Sequence, residues 1–220
     1  MPIRGQFQVD LDTLRDKLLE LGSLAEISLD KSIDTLLNQN IEKALQVMEE
    51  DEKVDRLDEE INDFAILLIA KQQPVAIDLR RIIVAIKIAT DVERIADFGV
   101  NIAKSTIRIG ENTDYIIPLE NIEKMHRIAT EMLSLSLKAY YEEDVVLAKK
   151  VADMDDLVDE LYGSNIKELL SLMKDHPDML PQITQLSFVC RYIERIADHT
   201  TNIAENVFYL VKGRHYELND

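Results

Sequence analysis

With one cysteine, Cys190, in 220 residues, the chain can form no intrachain disulfide and no zinc site built on thiolates. It is also short of basic residues. Against 42 Asp and Glu there are 25 Lys and Arg, a net charge of −17. That balance repels nucleic acid and anionic membrane surfaces, because duplex binding rests on neutralising phosphates with cations. Nor is there an apolar run near the ~20 residues that span a bilayer; candidates such as Ile66 to Ala70 are far too short. The start, Met1-Pro2-Ile3-Arg4-Gly5, lacks an apolar signal segment. A cytoplasmic protein without direct membrane insertion is expected, brought to a membrane only by a partner. No Gly-rich phosphate loop, nucleotide fingerprint or Ser-His-Asp arrangement is present.

Glycine and proline are scarce too, 6 and 5, and they cluster. Pro74, the stretch Gly110 to Pro118, and Pro177 with Pro181 therefore read as boundaries between long helices. Asn38-Gln39-Asn40 and Glu142-Glu143-Asp144 read as turns whose short polar side chains cap the next helix. Between these marks apolar residues recur every three or four positions. Leu14, Leu18, Leu21, Ala25 and Leu29 form one stripe, and Val47, Val54, Leu57 and Ile61 belong to another. No run alternates as a strand would. The pattern predicts an all-α protein of six helices, roughly 8–37, 41–72, 76–109, 119–141, 145–174 and 179–211.

What the chain does have, it has twice. Glu93-Arg94-Ile95-Ala96-Asp97, followed by Asn101-Ile102-Ala103, recurs as Glu194-Arg195-Ile196-Ala197-Asp198 with Asn202-Ile203-Ala204. Upstream, Asp51-x-x-Val54-Asp55-x-Leu57 recurs as Asp155-x-x-Val158-Asp159-x-Leu161. The upstream pairs are 104 residues apart and the downstream pairs 101, so the difference falls near Pro74 and Pro177, where a turn can shorten. This is an internal duplication of three helices. It predicts two tandem antiparallel three-helix bundles, residues 1–112 and 113–220, joined near Thr113 to Pro118.

Each repeated element is a carboxylate, three residues, and another carboxylate, which on a helix share one face with Cβ atoms ~5–6 Å apart. At ~100° per residue, Glu93 falls within the apolar stripe of the third helix (Ile82, Ala85, Ala89, Val92, Ala96, Val100) and Asp97 on its rim. The sixth helix repeats this with Ile183, Leu186, Cys190, Ile193 and Ala197. Acids beside a core-facing stripe need a counter-charge. Either Arg94 and Arg195 fold back onto them, or a cation binds. One such pair is commonplace on a solvated helix face; four at duplicated positions point to two equivalent oxygen-rich sites. Asp51, Asp55, Glu93 and Asp97 make one, and Asp155, Asp159, Glu194 and Asp198 the other. Carboxylates, with the Asn101 and Asn202 amides as further donors, suit magnesium, calcium, manganese or ferric iron better than copper or structural zinc. Di-iron bundles use Glu-x-x-His, whereas Ala96 and Ala197 stand at that spacing here. That absence counts against a carboxylate-bridged metal enzyme, which stands as the minor, competing reading. His199 aligns with Phe98, and His126, His176 and His215 read as surface or turn residues. Cys190 and the scattered methionines read as core.

These duplicated pairs, together with Pro74-Val75-Ala76-x-Asp78-Leu79-Arg80 and Arg191-Tyr192-Ile193-Glu194-Arg195-Ile196-Ala197-Asp198-His199, resemble the PhoU family of phosphate-uptake regulators over essentially the whole chain. The resemblance implies two similar three-helix bundles in a cytoplasmic, homodimeric, non-catalytic protein. It implies multinuclear metal clusters (iron, zinc, manganese or magnesium) on the eight acids named above. It further implies an adaptor between the ATPase subunit of the high-affinity phosphate transporter and a phosphate-sensing histidine kinase, restraining the starvation response when phosphate is plentiful. Internal symmetry fails at Asp91, whose counterpart is Tyr192, and at Arg80, whose counterpart is Pro181. The two clusters are therefore expected to differ.

Overall fold

A computed structural model describes residues 2–111, 113–117 and 119–218, with side chains from Gly5 onward. Met1, Asn219 and Asp220 lie outside the described residues, as do Asn112 and Pro118 in the expected boundary region. Seven α-helices account for most of the rest: α1 (Pro2–Asn38), α2 (Ile41–Glu50), α3 (Glu52–Gln72), α4 (Ile77–Ile109), α5 (Glu120–Glu142), α6 (Val145–Leu172) and α7 (Leu180–Lys212). Among the described residues there is no strand. The duplicated turns behave alike. Gln39 and Glu143 both take left-handed backbone, φ 51° and 54°. The next residues then cap: Asn40 Oδ1 accepts from the Lys43 amide at 2.9 Å, and Asp144 Oδ1 from those of Val146 and Leu147 at 2.8 and 3.1 Å. These bonds satisfy amides that a helix start leaves orphaned.

The chain departs from the expected helices in two places. α1 begins at Pro2 rather than near residue 8. Proline suits a first helical turn, and i to i+4 bonds from Gln6 to Asp10 and Gln8 to Asp12, both 3.0 Å, support the turns around Phe7, which packs on the core ahead of buried Leu11. The expected helix over 41–72 is broken at Asp51, whose carbonyl accepts from both Val54 and Asp55 amides, at 2.8 and 3.1 Å. One carbonyl serving an i+3 and an i+4 donor marks a local change of winding. Its counterpart Asp155 lies within the unbroken α6.

Each half packs as three helical rods, α1 with α2–α3 and α4, then α5 with α6 and α7. The halves are not separate bodies. α4 lies along α7 in the most extensive pairing of the molecule, and α1 meets α5. Equivalent helices thus pair across the duplication, and one contiguous core runs from Leu14 and Ile95 to Leu133 and Ile196. The close approaches use glycine: a Cβ at Gly22 of α1 would lie 2.2 Å from Leu137 Cδ1 of α5. Polar ties reinforce the seam. Arg81 Nε and Nη2 donate to Glu143 Oε1 at 3.1 and 3.0 Å, and Arg15 donates to the Tyr141 carbonyl. The linker is pinned to both halves, by Gln39 accepting from the Thr113 amide at 2.9 Å and Gln182 from that of Ile116 at 2.8 Å.

Leu29 is fully buried on α1, where a Cβ placed on Gly99 of α4 would sit 3.4 Å from Leu29 Cδ2. Leu29→Ala is expected to cost about 2–5 kcal/mol of stability, as large-to-alanine changes in packed cores do, measured by urea unfolding. A cost near zero would mean that α1 and α4 are not tightly packed.

Candidate metal centres

The first centre lies where α3 passes α4. Glu93 and Asp97 occupy successive turns of α4 with side chains 22% and 39% exposed, placing the glutamate inside the apolar stripe and the aspartate on its rim. Asp51 stands at the break between α2 and α3, and Asp55 one turn later. The four act on one another. Burial, then the charges of Asp55 and Asp97, push the Asp51 carboxyl up to about 6, with Lys104 opposing. Burial, then Asp97, raise that of Glu93, to which Asp58 and Asp55 also contribute. Asp58 belongs to this group. Its carboxyl is raised by burial and by Asp55 and Glu59 against a hydrogen bond from Asn62.

The second centre lies where α6 passes α7. Glu194 and Asp198 are 12% and 35% exposed, the same arrangement of stripe and rim. Burial and Asp198 raise the Glu194 carboxyl, while burial, Asp198 and Asp156 raise that of Asp159. Asp155 is buried in α6 at 5% exposure. Here, however, a guanidinium enters. Arg191 Nη1 lies 2.5 Å from Glu194 Oε1, and the group lies 5.9 Å from the centre of the Tyr162 ring.

Both sequence alternatives for the counter-charge therefore have a bearing. Arg94 does fold back, Nη1 to Asp97 Oδ2 at 2.9 Å, and so does Arg195 to Asp198 Oδ2 at 2.6 Å. With the side chains turned to these arginines, no three His, Cys, Asp or Glu among the described residues form a ready-made cage. The arginines leave acceptors over: Asp58 Oδ1 and Glu194 Oε2 are buried and accept no hydrogen bond. Hard oxygen donors with spare lone pairs, raised toward protonation by burial and then by one another's charge, fit a hard cation. Asp51, Asp55, Glu93 and Asp97 are the candidate donors at one centre, and Asp155, Asp159, Glu194 and Asp198 those at the other.

Asp58 is not marked by the duplication, because its counterpart is Tyr162. Its spacing marks it instead, since positions seven after Asp51 and three after Asp55 share a helix face. His126 corrects another expectation. Rather than a surface residue it is 3% exposed, with Nε2 3.2 Å from Asp30 Oδ1 across the junction of α1 and α5. An eleven-residue apolar spacing from Ile122 through Met125, Ala129 and Leu133 places His126 beside the buried side of α5, close enough to reach α1. His176 and His215 are exposed, as expected. His199 turns to Asp91, Nδ1 to Oδ1 2.9 Å, rather than to a carboxylate of the centre. Cys190 is a buried packing group, its thiol pushed up to about 12 by burial.

Fold and centres together define an internally duplicated helical protein with one acidic cluster per repeat. The family model for the PhoU domain matches twice, over residues 18–106 and 122–207. A phosphate-specific transport system accessory protein PhoU homolog of Clostridium acetobutylicum is 39% identical, over 99% of both chains. The crystal structure of PhoU from Pseudomonas aeruginosa superposes with a TM-score of 0.90 at 31% identity, covering 94% of this chain and all of that one. That of the phosphate transport system regulatory protein PhoU from Streptococcus pneumoniae gives 0.89 at 28% identity, over 96% and 99%. The chain belongs to the PhoU family. The names these relatives carry are those of accessory and regulatory proteins, not of enzymes.

The raised carboxyl of Asp51 gives a pH dependence of definite sign. An acid whose folded pKa, about 6, lies above its ordinary 3.8 holds protons more tightly when folded. Its ionisation therefore costs stability as pH rises from about 4 to 6, and the loss persists above. In metal-free protein, Asp51→Asn is expected to raise the thermal midpoint at neutral pH by a few degrees at most, and the gain is expected to vanish near pH 4. A variant less stable than the parent at neutral pH would show that the carboxylate is not repelled there.

Proposed function

We propose that this protein regulates phosphate uptake as a non-catalytic, metal-binding adaptor. The observation that carries the reading is the coincidence of two PhoU repeats with two half-buried carboxylate clusters at equivalent positions. The curated relatives are accessory to phosphate-specific transport, which supports a role in regulating that transport. In this reading the protein works in the cytoplasm as a homodimer and meets the transporter through its ATPase subunit and a phosphate-sensing histidine kinase. The described residues contain no helix long and apolar enough to cross a membrane, so contact with a membrane assembly goes through such partners.

Multinuclear clusters of iron, zinc, manganese or magnesium would be held by Asp51, Asp55, Glu93 and Asp97 in the first repeat and by Asp155, Asp159, Glu194 and Asp198 in the second. Bound ions supply positive charge that screens the facing carboxylates; the chain's own part is to hold α3 on α4, and α6 on α7, at the right spacing. The surface presented to a partner then depends on a charge balance set inside the protein. Nothing in the geometry favours the enzyme reading: Ala96 and Ala197 stand where an imidazole ligand would be, and His199 is engaged with Asp91.

Protein purified without a chelator or affinity tag is expected to carry metal by elemental analysis. Replacing Glu93, Asp97, Glu194 and Asp198 together by Ala should remove it; unchanged metal content would reject the assigned ligands. In a host lacking this gene, phosphate-starvation transcription is expected to stay on in phosphate-rich medium. Normal repression there, with no second copy of the gene present, would reject the regulatory role.

A further inference from the structure

We infer that the two centres are unequal cation sites: the first takes divalent ions at lower free concentration, and the second is partly satisfied by its own arginine. The inference rests on the metal reading above and concerns three positions at which the duplication has diverged. On α3, Asp58 adds a fifth carboxylate whose charge is felt by Glu93, and its Oδ1 is buried without a hydrogen bond. The equivalent position on α6 is Tyr162, which offers a ring face in place of a carboxylate. On α7, Arg191 sets its guanidinium 2.5 Å from Glu194 Oε1 and within 5.9 Å of that ring. The equivalent position on α4 is Thr90, whose hydroxyl donates to the Ile86 carbonyl at 3.2 Å, so position 90 brings no cation to Glu93, which keeps Arg94 Nε at 3.6 Å.

The changes at 162 and 191 belong together. A guanidinium beside Glu194 needs a neighbour that is not a competing base, and an aromatic face accepts a cation at about 6 Å. An aspartate at 162 would instead draw Arg191 away from Glu194 or bind a metal with it. An ion entering the second centre must therefore displace or repel Arg191, whereas at the first it meets one donor more and one cation fewer on the glutamate. The break in the helix at Asp51 has the same direction: Asp51 sits at a junction, half-buried, while Asp155 is buried inside a continuous helix.

The test is equilibrium dialysis of the full chain against Mn2+, with bound metal counted by mass spectrometry and folding checked by circular dichroism. Each centre is isolated by silencing the other, with Glu93→Gln and Asp97→Asn together or Glu194→Gln and Asp198→Asn together. The first centre is expected to bind more tightly than the second. In the protein keeping only the first, Asp58→Asn should weaken binding on the order of tenfold, the scale seen when a group supporting a metal site is lost. In the protein keeping only the second, Arg191→Thr should tighten binding by a similar factor, and adding Tyr162→Asp should bring the two centres close to equal. Two centres of equal affinity in the parent would overturn the inference while leaving the metal reading intact, as would an Arg191→Thr variant that binds less. No Mn2+ binding by either centre would overturn both.

Discussion

The packing of α4 against α7 is the constraint on which the rest of this molecule depends. Each helix carries an apolar stripe wide enough to serve two neighbours, one within its own repeat and one across the duplication. Burying both sides removes the helices from solvent along most of their length and fuses two three-helix units into one core. Burial on that scale is the main favourable term in folding. It also fixes where the acids stand, because Glu93 and Glu194 lie on these same two helices.

That placement sets up a conflict between burial and charge. A carboxylate in the stripe loses part of its hydration, and a second one turn away repels it. The protein answers with arginines from the same helices, at 2.9 Å on Asp97 and 2.6 Å on Asp198. Such exposed pairs are worth little individually, and they leave Asp58 Oδ1 and Glu194 Oε2 buried without a hydrogen bond. The residual repulsion is what a cation would relieve. A bundle built only for stability would place Ala at these positions, as it does at Ala96 and Ala197.

Divergence after duplication shows in matched contacts across the seam. Phe98 stacks on Tyr192 with ring centres 6.0 Å apart, and the equivalent pair is His199 with Asp91, hydrogen-bonded at 2.9 Å. One interface of the pseudo-symmetric pair is aromatic and the other polar, yet both hold α4 to α7. The same divergence separates the two centres, where Asp58 faces Tyr162 in alignment and Thr90 faces Arg191. Backbone architecture has stayed equivalent while side-chain chemistry has not, because packing constrains volume and periodicity more tightly than it constrains the identity of a rim residue.

Periodicity, punctuation and repetition determined the helical class, the placement of most helix ends, the duplication and the eight paired acids, because each of these is a local pattern or a comparison of the chain with itself. Helix ends at Asn40 and Asp144 were legible since a cap is chosen by its own side chain. The break at Asp51 was not, because its residues favour a continuous helix and only the local winding departs from it. Tertiary structure alone decided that α4 lies on α7, that His126 is buried against Asp30, and that Asp58 and Arg191 stand beside the paired acids. Those are relations between residues distant in sequence, or without a copy in the other repeat, and they exist only once the helices are packed.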